Sequence, residues 1–191
     1  MYYETVKELK EKGQWANFYI AGKGLVEPIK ALGDNAVGLE LGVARAETSA
    51  YLLDNCPNIA KFYCVDPWTP YMDWNGMVTK EIIEGMRVAA YSNMSEYGNK
   101  VEIIRETSNK AADMIEDNSL DFIFIDGDHS FTAAYHDITV YWPKVKKGGL
   151  FAGHDTGMRS VDDAIAKFRQ ENNVQTPINI GINNIWYWTK E

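Results

Sequence analysis

The chain has 191 residues, 46% of them hydrophobic and 24% charged, which fits one soluble globular domain with a sizeable core. Its net charge of −8 makes it a poor candidate for gripping phosphate backbones over a wide face, so nucleic acid is not an expected partner. No apolar run approaches the roughly 18 residues that span a bilayer, and Met1-Tyr2-Tyr3-Glu4-Thr5 has no basic segment followed by an apolar one, so neither a membrane anchor nor a secretory signal is expected.

In chain order, Tyr2 to Lys12 is an amphipathic helix candidate stopped by Gly13, and a second short helix is expected near Val26 to Ala31. Residues 1–35 therefore read as a helical cap on the end of a sheet, and residues 36–191 as the binding domain. Ala36 to Leu41 is the first strand. It runs into Glu40-Leu41-Gly42-Val43-Ala44-Arg45-Ala46 and then a helix to about Asn55. Strand, tight turn and helix is the shape of a nucleotide-type turn: Gly42 lets a ligand approach the backbone, and Glu40 could accept from a ribose or an amine. A plain solvated strand-to-helix turn is the alternative. Ala60 to Val65 is the second strand and ends at Asp66, 24 residues after Gly42. That is near the interval of about 20 at which dinucleotide folds place an acid on ribose hydroxyls.

Pro67 to Met77 holds two prolines, a glycine, Trp68, Tyr71 and Trp74. It is expected to lack regular structure and to serve as a lid, a substrate wall, or packing against the protein or a second subunit. Thr79 to Tyr97 has helical apolar spacing. Val101 to Arg105 is a third strand, after which Thr107 or Ser108 is placed to cap a helix from Asn109 to Ile115.

The most informative stretch follows. Phe122 to Ile125 is apolar throughout, as a strand covered on both faces requires, and it ends in Asp126-Gly127-Asp128-His129-Ser130. A helix from Phe131 to Trp142 can cross over to a parallel strand ending in Gly153-His154-Asp155. Ligands of an open parallel sheet bind beyond the carboxyl ends of its strands, so these acids and histidines are expected on one rim. A helix from Val161 to Gln170 follows, then strands at Thr176 to Ile180 and Asn184 to Thr189, too close together for a crossover and so a hairpin. The expected fold is α/β: a doubly wound, mostly parallel, seven-stranded sheet closed by a C-terminal antiparallel hairpin. Cys56 and Cys64 read as buried free thiols, consistent with a cytoplasmic location.

This order with its closing hairpin resembles the class I S-adenosylmethionine-dependent methyltransferases, a Rossmann-like fold. The run Ile125-Asp126-Gly127-Asp128-His129-Ser130 with Gly153-His154-Asp155 is similar to the small group called methyltransferase domain 24, relatives of caffeoyl-CoA and macrocin O-methyltransferases. The resemblance covers about Val37 to Trp188. It implies methylation of a small molecule, with S-adenosylmethionine held by Glu40 and Gly42 at its methionine part, Asp66 at the ribose, Thr107 and Ser108 at the adenine, and Asp126 alongside. Ala44 and Ala46 stand where the family often has glycine, which alanine can replace if φ there stays negative.

In metal-dependent relatives, acids after the fourth and fifth strands hold magnesium; the counterparts here are Asp126, His154 and Asp155. Histidine is not a usual magnesium ligand. Either the site takes a divalent metal tolerant of imidazole, or it takes none and His154 is a base or a structural donor. His129 and His154 are the candidate catalytic bases, with Asp128 or Asp155 to orient them, and a structural donor role is the alternative for each. Two other functions compete: a nicotinamide-dependent oxidoreductase, which the missing Gly-x-Gly-x-x-Gly disfavours, and a non-catalytic module binding a partner through the aromatic loop. That loop and the N-terminal helices are also the candidate seam of a homodimer.

Overall fold

In the computed structural model, which describes residues 3–73 and 76–191, the apolar run of the fourth βα unit becomes the central strand of a seven-stranded sheet. The strands are β1 Ala36–Leu41, β2 Ile59–Val65, β3 Tyr71–Asp73, β4 Gly76–Val78, β5 Val101–Ile104, β6 Leu120–Ile125, β7 Val145–Gly153, β8 Asn179–Ile180 and β9 Trp186–Thr189. The helices are α1 Val6–Glu11, α2 Val26–Lys30, α3 Glu47–Asn55, α4 Lys80–Ser95, α5 Ser108–Met114, α6 Phe131–Tyr141 and α7 Arg159–Glu171. The main sheet runs β5-β2-β1-β6-β7-β9-β8. Five strands are parallel, and β9 lies antiparallel between β7 and β8. The expected doubly wound sheet with one inserted antiparallel strand is what forms.

Alternation along β6 explains why helices cover both faces. Phe122 and Phe124 point into one cluster with Leu52 and Leu53 of α3, Ile83 and Met94 of α4, and Ile29 of α2. Ile123 and Ile125 point into the other, with Ala112 of α5, Ile138 of α6 and Phe168 of α7. All four are buried, and each apolar side chain so placed stabilises by roughly 1.5–3 kcal/mol. Helix α1 starts with a capping box between Thr5 and Glu8, and its Val6 joins the first cluster. Cys56 and Cys64 are buried free thiols, as expected.

Three local expectations are corrected. Tyr71–Asp73 and Gly76–Val78 form a small antiparallel ladder where irregular chain was expected. Pro67 and Pro70 fall just before β3, so their missing N–H groups take nothing from it. Trp74 lies outside the described residues. The first strand of the closing hairpin is only Asn179–Ile180. Pro177 has no N–H to give, and the carbonyl of Thr176 accepts from the Arg169 guanidinium at 2.5 Å instead of from a strand. Thr107 occupies the cap position of α5, but neither it nor Ser108 caps the helix: the Ser108 hydroxyl donates to Asp137.

Candidate functional site

The carboxyl ends of β1, β2, β5, β6 and β7 share one rim because the strands are parallel, and each of the expected residues lies at or just after such an end. Glu40, Asp66, Thr107, Ser108, Asp126, His154 and Asp155 are thereby brought to one edge from positions spread over more than a hundred residues.

At β1, Gly42 has φ +88°, and a Cβ there would sit 2.0 Å from the carbonyl oxygen of Asp126. Only glycine lets the β1 turn close against the β6 turn. The amide of Asp126 donates to Leu41 O at 2.8 Å and locks the two turns together. Ala44 and Ala46 have φ of +49° and +64°. The condition under which alanine replaces glycine freely is therefore not met: both alanines hold a left-handed conformation that costs them about 1–2 kcal/mol each. The β2 end offsets part of that strain. Asp66 accepts from the amide of Ala44 at 2.9 Å and from that of Trp68 at 2.7 Å, and Trp68 Nε1 donates to Ala44 O at 2.8 Å. Trp68 is only 4% exposed, so of its expected roles it takes packing against the protein. Burial raises the Asp66 carboxyl, against the backbone hydrogen bonds that lower it. The amide of Val43 also bears on Asp66, so of a carboxylate's about four acceptor positions one is left open to a ribose hydroxyl. Glu40 lies behind the turn, 2% exposed, and accepts from the Ser49 hydroxyl. Its burial pushes the carboxyl well above the usual range, with Ser49 opposing. Beyond β5, Ser108 is committed to Asp137, whereas Thr107 is exposed.

At β6 and β7 two acids face two histidines. His129 Nε2 lies 2.8 Å from Asp155 Oδ2 and 3.9 Å from Asp126 Oδ1. His154 Nδ1 lies 3.0 Å from Asp155 Oδ1 and 3.4 Å from Asp126 Oδ1. The acids Asp126 and Asp155 push His129 up to about 9. Burial works to lower His154, but hydrogen bonds to the same acids carry it up to about 11. Burial works to raise both carboxyls, and the imidazoles hold them below the usual range. The two acids thus favour the protonated form of both imidazoles. Asp128 accepts from the amide of Ser130 at 2.7 Å.

One oxygen from each of Asp126 and Asp155 and a nitrogen of His154 all lie within 4.8 Å of one another. A cavity of about 20 Å³ adjoins them, lined also by His129 and Trp186 and large enough for one water or ion. The contacts of 3.0 and 3.4 Å match the spacing of neighbouring ligands around a cation held at about 2.0–2.3 Å. Two carboxylates with one imidazole suit manganese, iron or zinc better than magnesium.

Tyr19 also reaches this cluster. Its hydroxyl is 3.1 Å from His154 Nε2. Nothing in the sequence marks Tyr19, since it lies in an irregular stretch 135 residues from its partner.

A family model described as a methyltransferase domain matches residues 39–156, more than half of the chain. A search of curated protein sequences finds no match. Among solved structures the chain is similar to the O-methyltransferase NovP, at 16% identity and a TM-score of 0.64, covering 86% of this chain and 78% of that one. It is also similar to a Staphylococcus aureus protein described as a caffeoyl-CoA O-methyltransferase, at 18% identity and 0.61, covering 99% and 93%. A Klebsiella pneumoniae protein described as an O-methyltransferase matches at 13% and 0.60, covering 96% and 88%. At such identities the structural likeness establishes the fold. No helix among the described residues is long and apolar enough to cross a membrane. With a glycine turn locked between two strand-end acids and a family match spanning every one of these turns, the chain belongs to the methyltransferase-domain family and is an S-adenosylmethionine-dependent methyltransferase.

Proposed function

We propose that the enzyme methylates an oxygen of a small-molecule acceptor and that Asp126, His154 and Asp155 hold a divalent cation beside the cofactor. The observation that carries this reading is the convergence of those three side chains on one point of the rim that also bears Gly42 and Asp66. The three structural neighbours described as O-methyltransferases support the choice of oxygen. S-adenosylmethionine supplies an electrophilic methyl group, so the protein's own task is to align donor and acceptor and exclude water. Gly42 allows the cofactor close to the β1 turn. Asp66 accepts from a ribose hydroxyl, and Thr107 and Ser108 flank the adenine. Glu40 acts from behind, fixing the turn through Ser49. Asp126 serves both halves of the rim, through its backbone at Gly42 and its carboxylate at the histidines.

A bound cation would draw the acceptor's oxygen toward it and make its proton easier to remove. Asp126, Asp155 and the Nδ1 of His154 would hold it, and His129, beside Asp155, would be the residue placed to take the acceptor's proton. His154 is thus assigned to the cation and His129 to the base. The acceptor is small, because the rim is a cleft edge and not a broad basic face. Residues 1–35 are read as a cap, the exposed Tyr71 and Met77 of the β3–β4 ladder as candidates for the acceptor's wall, and a homodimer through these parts is included in the reading.

Calorimetry with S-adenosylhomocysteine tests the cofactor half. The wild-type chain should bind it, and Asp66→Ala should weaken binding by about 1.5–3 kcal/mol, the scale of hydrogen bonds to a charged group. Unchanged affinity in that variant removes Asp66 from the ribose.

A further inference from the structure

We infer that Tyr19, on the N-terminal segment, is a positioning residue for His154: its hydroxyl oxygen accepts from His154 Nε2–H and turns Nδ1 toward Asp126 and Asp155. The inference rests on the assignment of His154 to the cation site.

An imidazole on a short stem has two ways to face, related by a half-turn about its ring bond. In His154 the choice is made by what each nitrogen meets. Nδ1 has Asp155 Oδ1 at 3.0 Å and Asp126 Oδ1 at 3.4 Å, while Nε2 has the Tyr19 hydroxyl at 3.1 Å. The side chain is only 11% exposed, while the hydrogen bond to Tyr19 lies at the surface, so the hydroxyl stands between Nε2 and solvent. The rings of Tyr19 and Phe124 meet the imidazole edge-on, at 6.5 Å and 73° and at 6.4 Å and 71°, and close it in from two sides. Whether Nδ1 carries a proton shared with the carboxylates or a cation, Nε2 keeps its hydrogen, and Tyr19 is its acceptor. A metal-binding histidine needs such a partner on its other nitrogen to fix tautomer and ring orientation.

The segment that brings Tyr19 there is fastened at three points. The carbonyl of Ile20 accepts from Asn183 Nδ2 at 2.8 Å, and the Ile20 side chain is buried. Gly22 lies so close to Thr48 of α3 that a Cβ would come within 2.6 Å of its methyl. Gly24 packs in the same way on Ile185, with a Cβ position 2.7 Å from that side chain. The Tyr19 ring itself is 63% exposed, so its hydroxyl can be removed without disturbing the core.

The test is Tyr19→Phe in the full chain, which keeps the ring and deletes the acceptor. Nitrogen-15 and proton NMR of the wild type should show a slowly exchanging proton on His154 Nε2; in Tyr19→Phe that proton should exchange too fast to observe. Titration with Mn²⁺ alone, followed by electron paramagnetic resonance of the free ion, should show affinity about 10-fold lower in the variant, the low end of the effect expected for such partners. Binding of S-adenosylhomocysteine should not change. An Nε2 proton equally protected in both proteins overturns the inference. If the wild type takes up no Mn²⁺, the cation assignment falls by itself, and the Nε2 proton still decides the role of Tyr19.

Discussion

The two ends of the rim use the same kind of residue for opposite purposes. At the β1–β2 end, Asp66 spends its oxygens on the amides of Ala44 and Trp68 and so holds a backbone turn in shape. At the β6–β7 end, Asp126 and Asp155 face imidazoles and so set the protonation of side chains. A strand-end aspartate is thus a carpenter in one place and a chemist in the other, and its neighbours decide which. Backbone amides are fixed in charge, so the hydrogen bonds that shape the first end should respond to sterics, and its titration is left to the buried Glu40 and Asp66. Imidazoles titrate, so the second end should respond to pH.

The largest effect expected from this contrast is at Gly42. Gly42→Ala places a methyl within 2.0 Å of Asp126 O at φ +88°, and should cost more than about 3 kcal/mol in urea unfolding, since both strain and overpacking act. A loss of about 1 kcal/mol or less would mean that the junction of the two turns is soft. Next comes the pH profile of the metal-free protein. His129 stands at about 9 when folded against 6.5 for the free side chain, so its share of the stability is complete below about pH 6.5 and drains away as pH rises through 9. Asp155 is held below its ordinary 3.8, so its share is present above about pH 4 and lost as pH falls further. The share of His154, carried up to about 11, drains over the same window, so the melting temperature should decline by several degrees between pH 6.5 and 9, and His129→Gln should make that decline shallower without abolishing it. A wild-type profile already flat across this window would refute the electrostatic description of the cluster. The smallest effect is at Ala44. Ala44→Gly relieves a left-handed alanine, worth about 1–2 kcal/mol, but loosens the unfolded chain by about 0.4–1 kcal/mol. A net gain of about 0.5–1 kcal/mol by chemical unfolding is expected, with the same value at pH 6 and pH 9.

Legibility in the sequence followed the same division. Strands such as Ala36–Leu41 and the run at Phe122–Ile125 are plain because a buried parallel strand must be apolar on both faces, and that leaves a local mark. The rim followed at once, since parallel strands put their carboxyl ends together. What the sequence does not carry is the occupancy of each polar group. That Ser108 is tied to Asp137, that Asp66 already bonds two amides, and that Trp68 is folded under the turn are outcomes of tertiary packing between segments 22 to 29 residues apart or less. The positive φ at Ala44 is not legible either, because local preference disfavours it and the hydrogen bonds of Ala44 with Asp66 and Trp68 that hold it come from another strand end. Nor does the sequence show that two carboxylates stand within reach of both imidazoles and raise them above a histidine's ordinary value.

The place of β9 has an effect on how the molecule is made. It follows β7 and β8 along the chain yet lies between them, and the Trp186 indole donates to the carbonyl of His154 at 2.9 Å. Until that strand arrives, β7 presents an unsatisfied ladder on one side, and the parts of Phe151 and Trp142 that meet Trp186 and Trp188 lie open. During synthesis the nascent polypeptide thus passes through a stage with a sticky flank beside an unfinished catalytic corner, and that stage is where quality control by chaperones has its clearest handle.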